Sequence, residues 1–191
     1  MTGAAGVPGV PGVRRALFID RDGTLIHDVG YPRDPARVEP LPGAFDALRT
    51  LQAGFALVIV SNQSGIGRGL ITPAEARAVH DRVVDVFGRA GIGFAGAYYC
   101  PHAPGDGCAC RKPAPGLLLD AARDLGLDLS GSIMVGDKAS DIAAGQAAGC
   151  GHTVRFGPEA DGAEDGAEGA RRCDDWQAVA GFLGALLGAL P

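Results

Sequence analysis

The sequence lacks the long apolar runs and the excess positive charge on which membrane and nucleic-acid-binding proteins depend. No stretch approaches the roughly 20 apolar residues that span a bilayer, and the N-terminus has no charged segment followed by an apolar run and a cleavage site. The 191 residues carry a formal net charge of −5. That charge excludes binding through broad neutralisation of nucleic acid or anionic lipid. We therefore predict a cytoplasmic protein without nucleic-acid or membrane partners, in which any phosphate is held by a local site.

Cysteine is scarce, and its placement excludes a disulfide framework. The chain has five cysteines, an odd number, and three of them lie close together with a histidine: Cys100, His102, Cys108 and Cys110. Three sulfurs and one imidazole complete a closed tetrahedral zinc site, which has a structural role. Unrelated free thiols are the alternative interpretation. Cys150 and Cys173 have no partners at suitable spacing.

The organisation along the chain predicts one domain. Residues 1–13 repeat Gly, Val and Pro, and we interpret them as a disordered leader. Residues 157–169 are rich in Gly, Ala, Asp and Glu and predict a flexible surface loop. Too little chain follows that loop for a second domain, so residues 14–191 form a single domain in this interpretation. No amphipathic segment is left over, and we expect a monomer.

Short apolar runs alternate with helical patterns, which predicts a doubly wound, mainly parallel α/β sheet. The predicted strands are 16–20, 55–61, 97–99, 132–136 and 152–156. The predicted helices are 44–52, 73–90, 114–125, 140–148 and 176–190. Ligands of such sheets bind beyond the carboxyl ends of the strands. The chemistry should therefore lie in the residues that follow each apolar run.

The first predicted strand is followed directly by two acids, Asp20 and Asp22. A carboxylate can attack phosphorus and form an aspartyl phosphate. A second carboxylic acid can protonate the leaving oxygen and then activate water. A solvated acidic turn or a calcium loop shows the same short pattern, so these two acids alone leave the chemistry open.

Polar clusters at the other predicted strand ends favour chemistry. They are Ser61, Asn62, Gln63 and Ser64 after the second strand, Arg111 and Lys112 after the zinc loop, and Asp137, Lys138 and Asp141 after the fourth strand. Hydroxyls, amides and cations bind phosphate, and carboxylates bind Mg²⁺. Together the clusters predict a magnesium-dependent phosphate site at one edge of the sheet.

The order of these motifs resembles the haloacid dehalogenase (HAD) superfamily of phosphatases, over residues 16 to about 150. The resemblance implies a Rossmann-like HAD fold without a large cap domain. It implies that Asp20 is the nucleophile, that Asp22 is the general acid/base, and that Ser61 and Lys112 stabilise the phosphoryl group. The implied magnesium ligands are Asp20, the backbone carbonyl of Asp22, and Asp137.

Longer runs narrow the resemblance to the histidinol-phosphate-phosphatase-like subfamily and, within it, to phosphatases of D-glycero-D-manno-heptose 1,7-bisphosphate. These runs are 30–31, 61–69, 98–102, 110–116 and 134–138. The resemblance implies removal of the C7 phosphate to give heptose 1-phosphate. The implied substrate contacts are Asp28, Tyr31, Ser61, Asn62, Gln63, Ser64, Arg111, Lys112 and Lys138, with Asp141 placed behind the magnesium ligands.

The sequence departs from the family pattern at two places, and two alternative functions remain open. The zinc loop is shorter than in some relatives, and the second motif has Ser61 where several relatives have threonine. A histidinol-phosphate phosphatase shares the acidic motifs and a similar zinc loop. A nonenzymatic sugar-phosphate-binding protein is the alternative from another class, although binding alone does not need a nucleophile such as Asp20.

In the loop after the first motif, Asp28 and Tyr31 could serve only to order the chain. Gln63 and Ser64 could serve only to cap the following turn. Lys138 could be a solvated surface cation, and Asp141 a solvated surface acid.

Overall fold

The computed structural model describes residues 14–158 and 169–188. The leader predicted at 1–13 lies outside the described residues, as do residues 159–168 of the loop predicted at 157–169. Both interpretations therefore stay predictions. The last helix, predicted to reach residue 190, is described as far as Gly188.

Six parallel strands form a single sheet, as the alternating pattern predicts. They are β1 (Arg14–Ile19), β2 (Ala56–Asn62), β3 (Phe94–Cys100), β4 (Leu127–Gly136), β5 (His152–Phe156) and β6 (Arg171–Cys173), in the spatial order β3-β2-β1-β4-β5-β6. The order reverses between β1 and β4, so the crevice at the carboxyl ends of these two strands is the expected ligand site.

Helices cover both faces of the sheet. They are α1 (Ala44–Leu51), α2 (Ser64–Gly67), α3 (Pro73–Arg89), α4 (Gly116–Leu125), α5 (Ala139–Ala148) and α6 (Trp176–Gly188). Alternate residues of β1 point to opposite faces: Leu17 and Ile19 pack with α1, α3 and α6, whereas Ala16 and Phe18 pack with α4 and α5. The strands are apolar on both faces because both faces are covered.

The structure corrects several predicted boundaries. β3 begins at Phe94 rather than at residue 97, β4 begins at Leu127 rather than at 132, and α4 begins at Gly116 rather than at 114. β6 and the one-turn helix α2 were not predicted at all. β3 lies at the edge of the sheet. The first residues of β3 and β4, which the prediction left out, are partly buried or exposed, so their sequence lacks the continuous apolar run of a buried strand.

The start of α3 agrees with its sequence signal. Thr72 is the N-cap and accepts a hydrogen bond from the Glu75 backbone N–H at 3.2 Å, and the Glu75 carboxylate accepts one from the Thr72 N–H at 2.7 Å. This reciprocal capping box satisfies two N–H groups that would otherwise have no partner within the helix. None of the described helices is long and apolar enough to cross a membrane.

Replacing the cap should destabilise the fold without touching the chemistry. We expect Thr72→Ala to lower the free energy of unfolding by about 1 kcal/mol, and the melting temperature by about 3 °C. The alanine loses both hydrogen bonds of the Thr72 hydroxyl, which accepts from the Glu75 N–H and donates to the Glu75 carboxylate. Thermal and urea denaturation measure the change.

Thr50→Ala is the matched control, because Thr50 is exposed inside α1 and its hydroxyl donates only to the Asp46 carbonyl. There the alanine should leave stability unchanged or raise it slightly. Equal losses in both variants would contradict the capping role of Thr72.

Candidate active site

A buried lysine ammonium lies where the carboxyl ends of the strands meet. Lys112 Nζ is 2.6 Å from Asp20 Oδ1 and 2.7 Å from Asp141 Oδ1, and it donates to the Val60 carbonyl at 2.8 Å. An ammonium has three N–H donors, so these three partners use all of them. Lys112 is 3% exposed and Asp141 is 1% exposed. The partners therefore fix the position of the charge.

One pocket at this edge brings together all four residues that are predicted to be catalytic: Asp20, Asp22, Ser61 and Lys112. It is lined by Asp20, Asp22, Ser61, Asn62, Lys112, Lys138, Ser140 and Asp141. The chain contains only two lysines, and both line this pocket. Arginine supplies the other basic charges of the chain, so lysine occurs only at the site.

The charges of the pocket are unbalanced toward the negative. Burial raises the pKa of Asp20 to about 7, the carboxylates of Asp141 and Asp22 add to this shift, and Lys112 opposes it. Burial also raises the pKa of Asp137. Burial by itself lowers the pKa of Lys112, but Asp20 and Asp141 outweigh it and the pKa lies above its ordinary value. Two buried carboxylates, Asp20 and Asp141, thus share the Lys112 ammonium.

A divalent cation fits this imbalance. One oxygen from each of Asp20, Asp137 and Asp141 lies within 4.8 Å of the others. Asp137 Oδ1 is buried and has no hydrogen-bond partner within the protein, and a buried carboxylate oxygen without a partner is costly unless a cation binds it. An all-oxygen donor set is the one that Mg²⁺ prefers.

The turn after β1 packs directly against Asp137. Gly23 has φ +84°, and a Cβ at this position would lie 2.5 Å from Asp137 Oδ2. Glycine satisfies both constraints, since it adopts positive φ without strain and has no side chain to displace the carboxylate. The glycine of the acidic motif therefore allows Asp137 to approach the two aspartates.

Asp141 has a structural explanation beyond its charge. Its Oδ2 accepts a hydrogen bond from the Lys138 backbone N–H at 2.9 Å at the start of α5, and its Oδ1 binds Lys112. It is buried, so the alternative of a solvated surface acid is excluded. Asp141 holds the lysine in place from behind.

The Asn62 amide holds the Lys112 segment through its backbone. Asn62 Nδ2 donates to the Lys112 carbonyl at 2.9 Å, and Asn62 Oδ1 accepts from the Lys112 N–H at 3.1 Å. Both polar atoms of this amide are therefore engaged by the protein. The pair ties the end of β2 to the segment that follows the cysteine loop.

The second aspartate is held from two sides. The Arg21 guanidinium forms a forked ion pair with Asp22, with its shortest N···O distance at 2.8 Å, and Gln63 Nε2 donates to Asp22 Oδ2 at 2.8 Å. The same Gln63 nitrogen donates to Ser61 Oγ at 2.9 Å. Sequence reasoning assigned no role to Arg21. The sequence shows that Arg21 lies between the two acids, but only the fold shows that it is buried, at 2% exposed.

The remaining predicted substrate contacts are not among the described residues that line this pocket. Asp28 forms a half-exposed ion pair of 3.3 Å with Lys138, and its other oxygen accepts from the Gly30 N–H. Tyr31 is exposed and its ring lies against Gly65. Ser64 begins α2, and Arg111 donates to the His102 carbonyl at 3.4 Å.

The four predicted zinc ligands converge on one point. The five distances measured among their sulfur and Nδ1 atoms lie between 3.2 and 3.6 Å. Four ligands around zinc, with bonds of roughly 2.0–2.3 Å, would be separated by about 3.3–3.8 Å. Burial raises the pKa of Cys100 to about 12, so a cation is needed to hold this sulfur as a thiolate. The donor set fits a closed tetrahedral metal site.

This cluster is connected to the pocket through the backbone. Gln63 N–H donates to the Cys100 carbonyl at 2.7 Å, and Gly67 N–H donates to the Pro101 carbonyl at 2.8 Å. Lys112 follows Cys110 after one residue. The cysteine cluster thus supports both the segment that carries Gln63 and the segment that carries Lys112.

Comparison with known proteins places these features in a family context. The HAD-hydrolase-like family model matches residues 109–157. A D-glycero-beta-D-manno-heptose-1,7-bisphosphate 7-phosphatase from Yersinia pestis is 42% identical over 148 residues, which cover 73% of this chain and 78% of that protein. The enzyme of the same name from Bordetella bronchiseptica is 38% identical over 171 residues, covering 87% and 96%.

A solved structure resembles the chain over nearly its whole length. It is the D,D-heptose 1,7-bisphosphate phosphatase from B. bronchiseptica complexed with magnesium and phosphate, and it superposes with a TM-score of 0.77 at 35% identity. The match covers 92% of this chain and 99% of that one. The similarity therefore includes the sheet, both helical layers and the strand ends that form the pocket.

Proposed function

Because the chain belongs to the family of D-glycero-D-manno-heptose-1,7-bisphosphate 7-phosphatases, within the HAD-like hydrolases, we propose that it removes the C7 phosphate of a heptose 1,7-bisphosphate and leaves heptose 1-phosphate. The observation that carries this proposal is the placement of Asp20 beside the buried Lys112 ammonium, with Asp137 close by. A binding protein would not need a carboxylate beside the ammonium of a phosphate site.

In the first step, one Asp20 oxygen attacks the phosphorus of the C7 phosphate. The bond between phosphorus and the C7 oxygen breaks, and Asp22 gives its proton to that oxygen as the sugar leaves. The Lys112 ammonium, held beside Asp20, balances the charge of the transferring phosphoryl oxygens, and the Ser61 hydroxyl donates to one of them. The product of this step is an aspartyl phosphate at Asp20.

In the second step, water attacks the same phosphorus while Asp22 takes its proton. The bond between phosphorus and the Asp20 oxygen breaks, phosphate leaves, and the carboxylate is restored. Magnesium, when bound by Asp20, Asp137 and the Asp22 carbonyl, supplies positive charge beside the phosphoryl oxygens. The protein contributes mainly position and fixed charge, as phosphoryl transfer requires.

The cysteine cluster is proposed as a structural zinc site. Cys100, His102, Cys108 and Cys110 leave no open coordination position, so zinc would act on the scaffold and not on the substrate. The cluster precedes Arg111 and Lys112 directly in the sequence, which supports a structural role for zinc beside the catalytic role of magnesium.

The substrate is proposed to be held by contacts around the pocket. The cations of Arg111 and Lys138 suit the phosphate that stays on the sugar, and Asp28 and Tyr31 suit sugar hydroxyls and the ring face. Ser64 is proposed as a further contact at the start of α2. We also propose that the enzyme acts as a cytoplasmic monomer.

The nucleophile is tested by Asp20→Asn. We expect magnesium-dependent phosphate release to fall by at least about a thousandfold, because an amide cannot form the acyl phosphate. Steady-state phosphate release measures the loss. Asp46→Asn is the matched control, since the exposed Asp46 side chain pairs with the surface residue Arg49, and this variant should keep full activity. Unchanged phosphate release by Asp20→Asn would overturn the mechanism.

The substrate is tested by comparing kcat/KM for heptose 1,7-bisphosphate and histidinol phosphate. We expect the heptose to be preferred by at least about tenfold, because histidinol phosphate brings an ammonium toward Arg111 and Lys138 where the heptose brings a second phosphate. Phosphorus NMR of the product should show that the C1 phosphate is retained. Faster turnover of histidinol phosphate would contradict the proposed substrate.

Zinc is tested by metal analysis of Cys110→Ser. We expect about one zinc per wild-type chain, its loss from the variant, and a KM raised by about tenfold or more, because the cations next to Cys110 lose their support. Cys150→Ser is the control, since this half-buried thiol lies apart from the cluster, and its zinc content and KM should not change. Loss of zinc with an unchanged KM would separate the metal from phosphate binding.

A further inference from the structure

The Gln63 side chain lies away from the substrate pocket although its neighbours Ser61 and Asn62 line it. Gln63 is 5% exposed, and it lines a second pocket together with Arg21 and His80. Ser61 lines both pockets. A direct contact between the Gln63 amide and a sugar is therefore a poor fit, and its burial needs another explanation.

The neighbours of Gln63 decide which way its amide is oriented. Arg21 donates to both oxygens of Asp22, from Nε to Oδ1 at 3.2 Å and from Nη2 to Oδ2 at 2.8 Å, so both oxygens act as hydrogen-bond acceptors in this pair. The Gln63 atom 2.8 Å from Asp22 Oδ2 must then be the NH₂ nitrogen. The orientation of the amide follows from the acceptor role of Asp22 Oδ2, which already accepts from Arg21.

The same nitrogen lies 2.9 Å from Ser61 Oγ, and the NH₂ group has a second proton to give. Ser61 Oγ therefore accepts a hydrogen bond from Gln63. Its own hydroxyl proton cannot point back along that bond, so it is free for another acceptor. Ser61 lines the pocket beside Asp20 and Lys112, where the acceptor at hand is a phosphoryl oxygen.

The backbone holds Gln63 in this position. Its N–H donates to the carbonyl of Cys100 at 2.7 Å, and its carbonyl accepts from the Ile66 N–H at 3.2 Å. The residue is fixed at the junction between the end of β2, the start of α2 and the cysteine loop. A side chain anchored in this way can impose its hydrogen-bond direction on its two neighbours.

We propose that Gln63 is a positioning residue for phosphoryl transfer. Through one NH₂ group it turns the Ser61 hydroxyl toward the phosphoryl group and holds the carboxylate of Asp22 in place. The inference rests on the proposed phosphatase function, and it assigns Gln63 an indirect action where the family resemblance implies a substrate contact.

Two substitutions of similar shape test this proposal. Gln63→Met removes both donated bonds, and we expect kcat to fall by about tenfold while KM for the sugar phosphate stays within about twofold. Gln63→Glu presents only acceptors, which would repel Asp22 and draw the Ser61 proton inward, so we expect a larger loss of kcat. A Gln63→Glu variant with wild-type kcat would contradict the proposal, because only a steric role tolerates that change.

A double-mutant comparison tests whether Gln63 acts through Ser61. In a Ser61→Ala background, Gln63→Met should cost less than about threefold in kcat, because the oriented hydroxyl is already absent. The same tenfold loss in both backgrounds would overturn the proposal. So would a rise in KM with kcat unchanged, which is the result expected of a substrate contact.

A binding measurement separates this inference from the proposed function. Calorimetric titration with orthovanadate in the presence of Mg²⁺ reports the phosphoryl site without turnover. We expect about tenfold weaker binding by Gln63→Met than by wild type, and no such difference in the Ser61→Ala background. Equal vanadate affinities of wild type and Gln63→Met would overturn the role of Gln63, whereas a wild-type chain that binds vanadate but releases no phosphate would overturn the function alone.

Gln52→Met is the matched control for the substitution itself. Gln52 also uses its side-chain amide to bind other residues, donating to the Gly91 carbonyl at 3.0 Å and accepting from the Gly93 N–H at 3.2 Å, but it lies at the opposite edge of the sheet, before β2. We expect a loss of stability without a change in kcat. If Gln52→Met lowers kcat as much as Gln63→Met, the effect is one of general stability and the proposal fails.

Discussion

The rest of the site depends on one buried ammonium held by two carboxylates and a carbonyl. Removing Lys112 from water carries a desolvation cost of several kcal/mol, which is offset only when every N–H has a well-placed partner. Asp20, Asp141 and the Val60 carbonyl meet that condition at 2.6 to 2.8 Å. Because all three donors are used, the charge stays beside Asp20, where a phosphoryl group attached to that carboxylate also lies.

The fold brings these groups together from distant parts of the sequence. Asp20 follows β1 directly, Val60 belongs to β2, and Asp141 lies in the first turn of α5 after β4. Lys112 comes from a segment without regular structure, and that segment is held by the Asn62 amide on one side and by the cysteine cluster on the other. The placement of Lys112 therefore depends on the Asn62 amide and the cysteine cluster, and not on a strand.

The sequence predicted the sheet and the strand-end residues because both depend on local signals. Runs such as Leu17 to Ile19 are apolar on both faces, and the acids that follow them stand out. The polar edge strand β6 and the first half of β4 lack a continuous apolar run, and the sequence did not predict them. The bonds of Gln63 to Asp22 and Ser61, and the fork of Arg21, depend on tertiary packing that no spacing rule encodes. The catalytic and substrate-binding roles of the predicted residues stay predictions.

In the proposed reaction, Asp20, held beside Lys112, carries the phosphoryl group. Trapping that intermediate is the decisive experiment: the Mg²⁺-loaded enzyme is mixed with substrate, quenched in acid within milliseconds and reduced with borohydride, and its peptides are sequenced by mass spectrometry. We expect homoserine at position 20, formed by reduction of an aspartyl phosphate. Homoserine at position 22, or an unmodified chain while phosphate is released in the same interval, would contradict the proposed reaction.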